Sequence, residues 1–261
     1  MRIARIRTAG GTEIHAVLEG AAAVPIRGDV FGEWKAEGKP IPMENVKLLP
    51  PILPVNLLCF GRNYKAHAEE GGADLPREPL LFIKASSCVI GTGDPIVIPE
   101  AAPLQVDYEA ELAVVIGRPA RNVSRQEALA CVFGYLCAND VSARDVQNGD
   151  GQWSRAKSFD TFGPLGPWIE TDLDPRDLQI RGRLNGQVMQ DASTALMIFD
   201  VPYLISYLSR GMTLLPGTVL STGTPAGVGF ARKPPVWLKP GDTFEVQIDG
   251  IGTLTNPVVG K

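Results

Sequence analysis

The chain is punctuated throughout by 28 glycines and 22 prolines in 261 residues. That exceeds the usual share of about 12% for the two together and stays below the roughly 25–30% of low-complexity chains, so it predicts a folded, loop-rich, β-leaning protein. Short apolar runs lie between the breaks, and the β-α-β-α order of a doubly wound sheet is missing. No repeat with a period of about 20–50 residues is visible, which sets aside solenoids and propellers. The pattern predicts an α+β, β-dominated domain around a large mixed or antiparallel sheet.

Residues 1–19 read as a hairpin, with Ile3 to Arg7 and Glu13 to Leu18 flanking Ala9-Gly10-Gly11. A weakly patterned stretch then leads to Leu49-Pro50-Pro51-Ile52-Leu53-Pro54, an extended linker. This divides the chain into a small N-terminal β domain, 1–48, and a main domain, 55–261, opening with a strand over 55–60. Ser124 and Glu127 form a capping box ahead of a helix over 128–132. Asp200, Pro202, the apolar set Leu204, Ile205, Tyr207 and Leu208, then Gly211, give a second helix its cap, early proline, buried face and stop. Asn185-Gly186 and Asp249-Gly250 each signal a two-residue hairpin turn.

A net charge of −4 without a basic patch argues against nucleic acid and anionic membrane surfaces. The longest apolar stretches, such as Leu112–Ile116, fall far short of the ~18 residues that span a bilayer. The first residues show neither a continuous apolar region nor a cleavage site, which points to the cytoplasm. Cys59, Cys88, Cys131 and Cys137 form no C-x-x-C pair and read as buried thiols. With only His15 and His67, any metal must be held mainly by oxygen, which favours Mg²⁺, Mn²⁺ or Ca²⁺.

Four constellations can carry chemistry. Glu109, Glu111 and Ala113 alternate onto one face of a strand that runs to Ile116. Carboxylates at i and i+2 repel, and either water or a divalent cation relieves them. A second strand, Tyr135 to Asn139, ends in Asp140; three carboxylates there would make an oxygen-rich site with open positions. His67-x-x-Glu70 follows a Gly61-Arg62-Asn63-Tyr64 turn in a helix-forming segment. At i and i+3 the pair shares a face, and a neighbouring carboxylate suits an imidazole that must deprotonate water, although surface helices also carry such pairs incidentally. His15 has no such neighbour and reads as structural. Arg144, Gln147 and Lys157 place cationic and amide donors behind the acids, where they either hold an anionic substrate or belong to a solvated loop. Asn148-Gly149-Asp150-Gly151 between them reads as a mobile, lid-like loop. Finally, Ser221 to Gly229 is neither a phosphate loop nor a dinucleotide fingerprint; it is a tight turn, or it presents backbone N–H groups and the Thr222 or Thr224 hydroxyl to a carboxylate.

The order of these motifs is more specific than any one of them. Gly61-Arg62-Asn63-Tyr64 with His67-x-x-Glu70, Asp107-Tyr108-Glu109-x-Glu111, Asn139-Asp140-x-x-x-Arg144-Asp145-x-Gln147, Ala156-Lys157-Ser158-Phe159-Asp160 and Thr222-Gly223-Thr224-Pro225-x-Gly227-Val228-Gly229 together resemble the fumarylacetoacetate hydrolase family. The resemblance spans residues 55–260, and the first 48 resemble the small β domain of bacterial members. It implies a mixed sheet rolled into a pseudo-barrel and a homodimer. It implies one Mg²⁺ or Mn²⁺, with Ca²⁺ an option, on Glu109, Glu111 and Asp140. It further implies a water-activating pair, His67 and Glu70, an enolate-stabilising Lys157, and substrate contacts from Arg62, Tyr64, Arg144, Gln147 and Thr224. Phe60 stands where fumarylacetoacetate hydrolase itself carries a further metal-binding aspartate, so water or substrate would complete the coordination.

The implied partner is a small anionic 2-oxo acid. The implied reaction is hydrolysis of a C–C bond in a 2,4-dioxo acid, an acylpyruvate such as fumarylpyruvate or a related ring-fission or diketo sugar acid. The products would be pyruvate, or a substituted pyruvate, and a carboxylic acid. The same metal-enolate chemistry serves decarboxylation of oxaloacetate-like acids and isomerisation of 2-hydroxy-dienoic diacids; the intact His67–Glu70 pair favours hydrolysis. A non-enzymatic relative that binds small acids is the third reading.

Overall fold

A computed structural model describes residues 1–260. Strands dominate, arranged in sheets of 13, five and two strands. At the centre of the largest lies Ala110–Ile116, buried at every position and paired antiparallel with Val132–Asn139 and Val219–Ser221. Leu112, Val114 and Ile116 face one core, shared with Phe244, Val246 and Ile248 of the five-stranded sheet. Ala113 and Val115 face the other, with Leu136, Ala138 and Ile169. Burial on both faces explains why this strand reads as a nearly unbroken apolar run.

Beyond Val219–Ser221 the sheet continues through a parallel strand, Leu57–Gly61, to an antiparallel edge strand, Leu80–Lys84. The rolled mixed sheet stays open: its path ends at Leu80–Lys84 on one side and Trp34–Ala36 on the other. The N-terminal hairpin, Arg2–Thr8 with Glu13–Glu19, belongs to this same sheet, because Arg2 and Ile3 pair with Glu170 and Ile169 of Gly163–Glu170. It retains an apolar cluster of its own: Ala4, Ile6, Ala16 and Ala23.

The helix Val201–Gly211 begins where the Asp200 carboxylate accepts the Tyr203 N–H at 2.9 Å, a cap that contributes about 1 kcal/mol. Ser124 and Glu127 do bond reciprocally, but only a 3₁₀ turn, Ala128–Cys131, follows. The Cys131 carbonyl is taken by Gly117 and Arg118 N–H, so sheet pairing ends the helix after one turn. Asn185 and Gly186, with φ of 52° and 80°, form the expected two-residue turn. The other hairpin differs. Ile248 pairs with Gly252, so three residues connect its strands, and the extra one, Ile251, is buried in the main core. The segment expected to be a mobile loop over 148–151 is the end of a helix, Arg144–Asp150, stopped by Gly151 at φ 68°. No helix among the described residues is long and apolar enough to cross a membrane.

Candidate active site

Glu109 and Glu111 sit at the start of the central strand, and Asp140 follows its neighbour. The antiparallel register Ala110↔Asn139 brings these ends together, with the Asp140 N–H donating to the Glu109 carbonyl at 2.9 Å. Carboxylate oxygens of Glu109, Glu111 and Asp140 lie within 4.8 Å of one another, and all three side chains are buried. Like charges so close, without water, require compensation.

That compensation is unequal. Lys157 Nζ donates to Asp140 at 2.5 Å, Ser142 Oγ at 2.8 Å and Glu109 at 3.0 Å. Lys84 donates to the other Asp140 oxygen at 2.5 Å and to the Phe162 carbonyl at 2.7 Å. Arg144 reaches Glu109 at 2.6 Å, Gln147 at 2.8 Å and the buried Asp107 at 2.9 Å. Among the described residues Glu111 accepts hydrogen bonds from uncharged donors only, Ser221 Oγ at 2.5 Å and the Gly223 N–H at 2.9 Å. Burial alone would raise the Glu109 carboxyl, but Lys157 and Arg144 hold it well below the usual carboxylate range. Burial, reinforced by Asp140 and Glu109, pushes the Glu111 carboxyl well up. An all-oxygen trio in which one acid lacks a cationic partner fits a hard divalent cation held by Glu109, Glu111 and Asp140.

The opposite wall comes from the helix Lys65–Glu70. His67 Nδ1 lies 2.8 Å from Glu70 Oε1, and Glu70 Oε2 accepts the Gly227 N–H at 2.8 Å. Gly227 has φ 107°, and a Cβ there would strike the Met189 carbonyl, so a glycine is needed for this anchor. His67, Glu109, Arg144, Gln147, Lys157 and Arg62 line a single cavity of about 260 Å³; Glu111 and Asp140 are not among its lining residues.

Two residues expected to touch substrate differ in their access to the cavity. Tyr64 is 2% exposed, is not among the residues lining the cavity, and is bridged to Met197 within the core. Thr224 lines the cavity, and its hydroxyl donates to the Ala110 carbonyl at 2.9 Å and accepts from Gln190 at 2.7 Å, which leaves one acceptor lone pair. The Thr222 hydroxyl donates to the Leu112 carbonyl at 2.8 Å. Lys84 was missed. Its signal was its parity with Phe82 at the end of the apolar run 80–83, which places both on one strand face. Asp107, the first residue of the Asp107-Tyr108-Glu109 motif, fixes Arg144 and accepts the Gly229 N–H at 2.7 Å.

A family model described as "Fumarylacetoacetate (FAA) hydrolase C-terminal" matches residues 56–259. The chain belongs to the fumarylacetoacetate hydrolase family. A second model, "Rv2993c-like, N-terminal", matches residues 1–51 of this family member. "Protein Rv2993c" of Mycobacterium tuberculosis is 45% identical over 100% of this chain and 99% of its own. "Oxaloacetate tautomerase fahd2, mitochondrial" of Xenopus laevis is 47% identical over 82% of this chain and 69% of its own. The crystal structure of 5-carboxymethyl-2-hydroxymuconate delta-isomerase from Mycobacterium smegmatis is similar with a TM-score of 0.91 and 44% identity, covering 100% of both chains. These last two relatives in the fumarylacetoacetate hydrolase family are thus named for tautomerisation and isomerisation, not for C–C hydrolysis.

Proposed function

We propose that this protein interconverts the keto and enol forms of a small 2-oxo acid by moving a proton at the carbon beside the 2-oxo group. The supporting observation is that His67, paired with Glu70, and Glu109, one of a buried carboxylate trio, line one cavity of about 260 Å³. The tautomerase and isomerase names of similar proteins favour the same chemistry.

A divalent cation, Mg²⁺ or Mn²⁺, held by Glu109, Glu111 and Asp140 would polarise the 2-oxo group and stabilise negative charge on its oxygen. Glu70 accepts the Nδ1 proton of His67 across 2.8 Å, which assigns the free lone pair to Nε2. That nitrogen takes the proton from the substrate carbon as the C=C bond forms and passes it to the former 2-oxo oxygen, giving the enol; the reverse transfer, from the enol O–H back to the carbon, restores the keto form. The Gly227 N–H fixes Glu70 from its other side, so the imidazole is held in one orientation. Arg144 and Gln147, bonded to each other at 2.8 Å, offer their remaining N–H groups to a substrate carboxylate. Lys157, bonded to Glu109 and Asp140, keeps positive potential beneath the developing enolate.

Hydrolysis of a C–C bond is the second reading, favoured by the same anchored His67–Glu70 pair, which would then act on a water. The two separate in one experiment. Protein stripped with EDTA, then given Mg²⁺ or none, is mixed with enol oxaloacetate or with acylpyruvates in ¹⁸O-water. Tautomerisation gives metal-dependent loss of oxaloacetate enol absorbance with no carbon dioxide released. Pyruvate plus an ¹⁸O-labelled carboxylic acid from an acylpyruvate would replace it with hydrolysis; carbon dioxide from oxaloacetate would replace it with decarboxylation.

A further inference from the structure

We infer that Arg232 is a positioning residue for the His67–Glu70 pair: it clamps the backbone of Gly227, and through that backbone holds Glu70 and the imidazole. The kinetic consequence rests on the proton-transfer reading above. The chain of contacts is continuous. His67 Nδ1 lies 2.8 Å from Glu70 Oε1, and Glu70 Oε2 accepts the Gly227 N–H at 2.8 Å. The carbonyl of the same glycine accepts from Arg232 Nε and Nη2, each at 3.3 Å. Arg232 Nη2 also donates to the Met189 carbonyl, in the strand Gln187–Ser193 of the five-stranded sheet.

Gly227 needs that clamp. Its φ of 107° favours glycine, and glycine is also the residue whose backbone is freest to leave any one conformation. The donor that fixes Glu70 is therefore not fixed by its own residue. The helix gives little help, because Glu70 is the last of its six residues, and helix ends fray.

Arg232 is aimed by a turn. The Asp107 carboxylate accepts the Gly229 N–H at 2.7 Å and the Phe230 N–H at 3.1 Å, which starts the 3₁₀ turn Gly229–Ala231. The Arg232 N–H closes that turn on the Gly229 carbonyl at 3.2 Å, and the side chain folds back to Gly227. Arg232 forms no ion pair among the described residues; its planar fork of charged N–H groups spans two backbone carbonyls instead. It is not among the residues lining the inner cavity, and it borders a separate one of about 350 Å³ with Asn185, Lys233 and Val236. Its effect on turnover is therefore transmitted, and the route runs through Gly227 and Glu70.

Wild type, Arg232→Met and Arg232→Lys, each loaded with Mg²⁺, are compared in turnover of enol oxaloacetate and in the ring ¹⁵N spectrum of their histidines. The chain has two histidines, so the spectrum of His67→Ala assigns the signals. At about pH 8, where an ordinary imidazole is neutral, His67 of wild type should carry its proton on Nδ1. Arg232→Met should spread that proton over both nitrogens. It should lower kcat by about 10- to 100-fold with KM within about twofold, because a misplacement of about 1 Å can cost 10²-fold. Arg232→Lys should regain part of both, and in a Glu70→Ala background Arg232→Met should cost nothing further. An unchanged kcat, a rise in KM that accounts for the loss, unchanged imidazole signals, or the same loss in the Glu70→Ala background would overturn the assignment. Should Arg232→Met not fold, Arg232→Lys is read alone, and wild-type kcat with wild-type signals overturns it. If wild type turns over no enol while Arg232→Met still moves the imidazole proton, the tautomerase reading falls and the role of Arg232 stands.

Discussion

The N-terminal hairpin and the buried groups around the start of the central strand treat charge in opposite ways. In the N-terminal hairpin, Arg5 and Arg7 meet Glu13 where water reaches all three. In the centre, Lys84, Arg144 and Lys157 meet Asp107, Glu109 and Asp140 with almost no exposure. Exposed pairs are screened and contribute little. Buried ions each cost several kcal/mol of desolvation, recovered only with near-complete pairing, and apolar residues of similar volume would often stabilise a fold equally well. The difference teaches that stability alone does not account for the central charges. Glu111 alone among the trio has no ion pair among the described residues, the feature on which the proposed cation site turns.

The strongest way to break this comparison is Glu111→Gln. Removing that charge relieves repulsion from Asp140 and Glu109, so the EDTA-treated variant should melt higher than wild type, lose the Mg²⁺-induced rise in Tm, and have no measurable enol turnover. A variant that keeps both the metal response and activity would remove the trio from the site. Asp140→Ala is a poorer probe, because it strands Lys84 and Lys157 without their shared partner.

His67→Ala should lower turnover by about 10²–10⁴-fold, the usual contribution of a positioned base. It should keep the Mg²⁺-induced rise in Tm, since His67 lies on the wall and not among the trio. Loss of both together would show that wall and floor are not separable.

Lys84→Met tests the buried pairs for stability. It leaves one Asp140 oxygen unpaired in the core, for a loss of about 3–5 kcal/mol in denaturant unfolding. Adding Asp140→Asn should recover part of that loss, because no unpaired charge remains. Glu13→Gln in the hairpin should leave the denaturation midpoint unchanged. Similar losses at Lys84 and Glu13 would erase the contrast.

Much of the central site was legible because adjacent strands carry it. Alternation placed Glu109 and Glu111 on one face, and the i, i+3 spacing of His67 and Glu70 matched a real contact of 2.8 Å. What stayed hidden came from partners remote in sequence. Nothing local in the run 80–84 says that its lysine reaches an acid 56 residues away. Nor does Thr224 announce that its hydroxyl binds Ala110 and Gln190, or Tyr64 that its ring is buried. The fold followed the same rule. The short-range turn at Asn185-Gly186 was readable, whereas Ile251 enlarged the other turn for the sake of a core assembled from distant strands. The capping box formed as written but yielded one turn, because the Cys131 carbonyl was already claimed across the sheet.

The smallest effect sharpens the comparison from the hairpin side. His15 pairs across the hairpin with Arg5 and is more than half buried. Burial, aided by the Arg5 charge and only partly offset by the Pro51 backbone and Asp29, holds its imidazole below the ordinary value of 6.5. In the unfolded chain His15 takes up a proton as pH falls through 6.5, while in the folded protein it resists. The unfolded state then binds more protons, so stability must fall with pH until the folded imidazole titrates as well. The contribution is complete above 6.5 and lost below the folded value. His15→Asn should therefore flatten the decline of Tm between about pH 7 and 5 by a small amount, while leaving enol turnover at its wild-type level. Because the carboxylates titrate in both proteins, the difference between the two Tm profiles isolates His15. Identical slopes would mean that the hairpin exposes His15 to water as freely as it does Glu13.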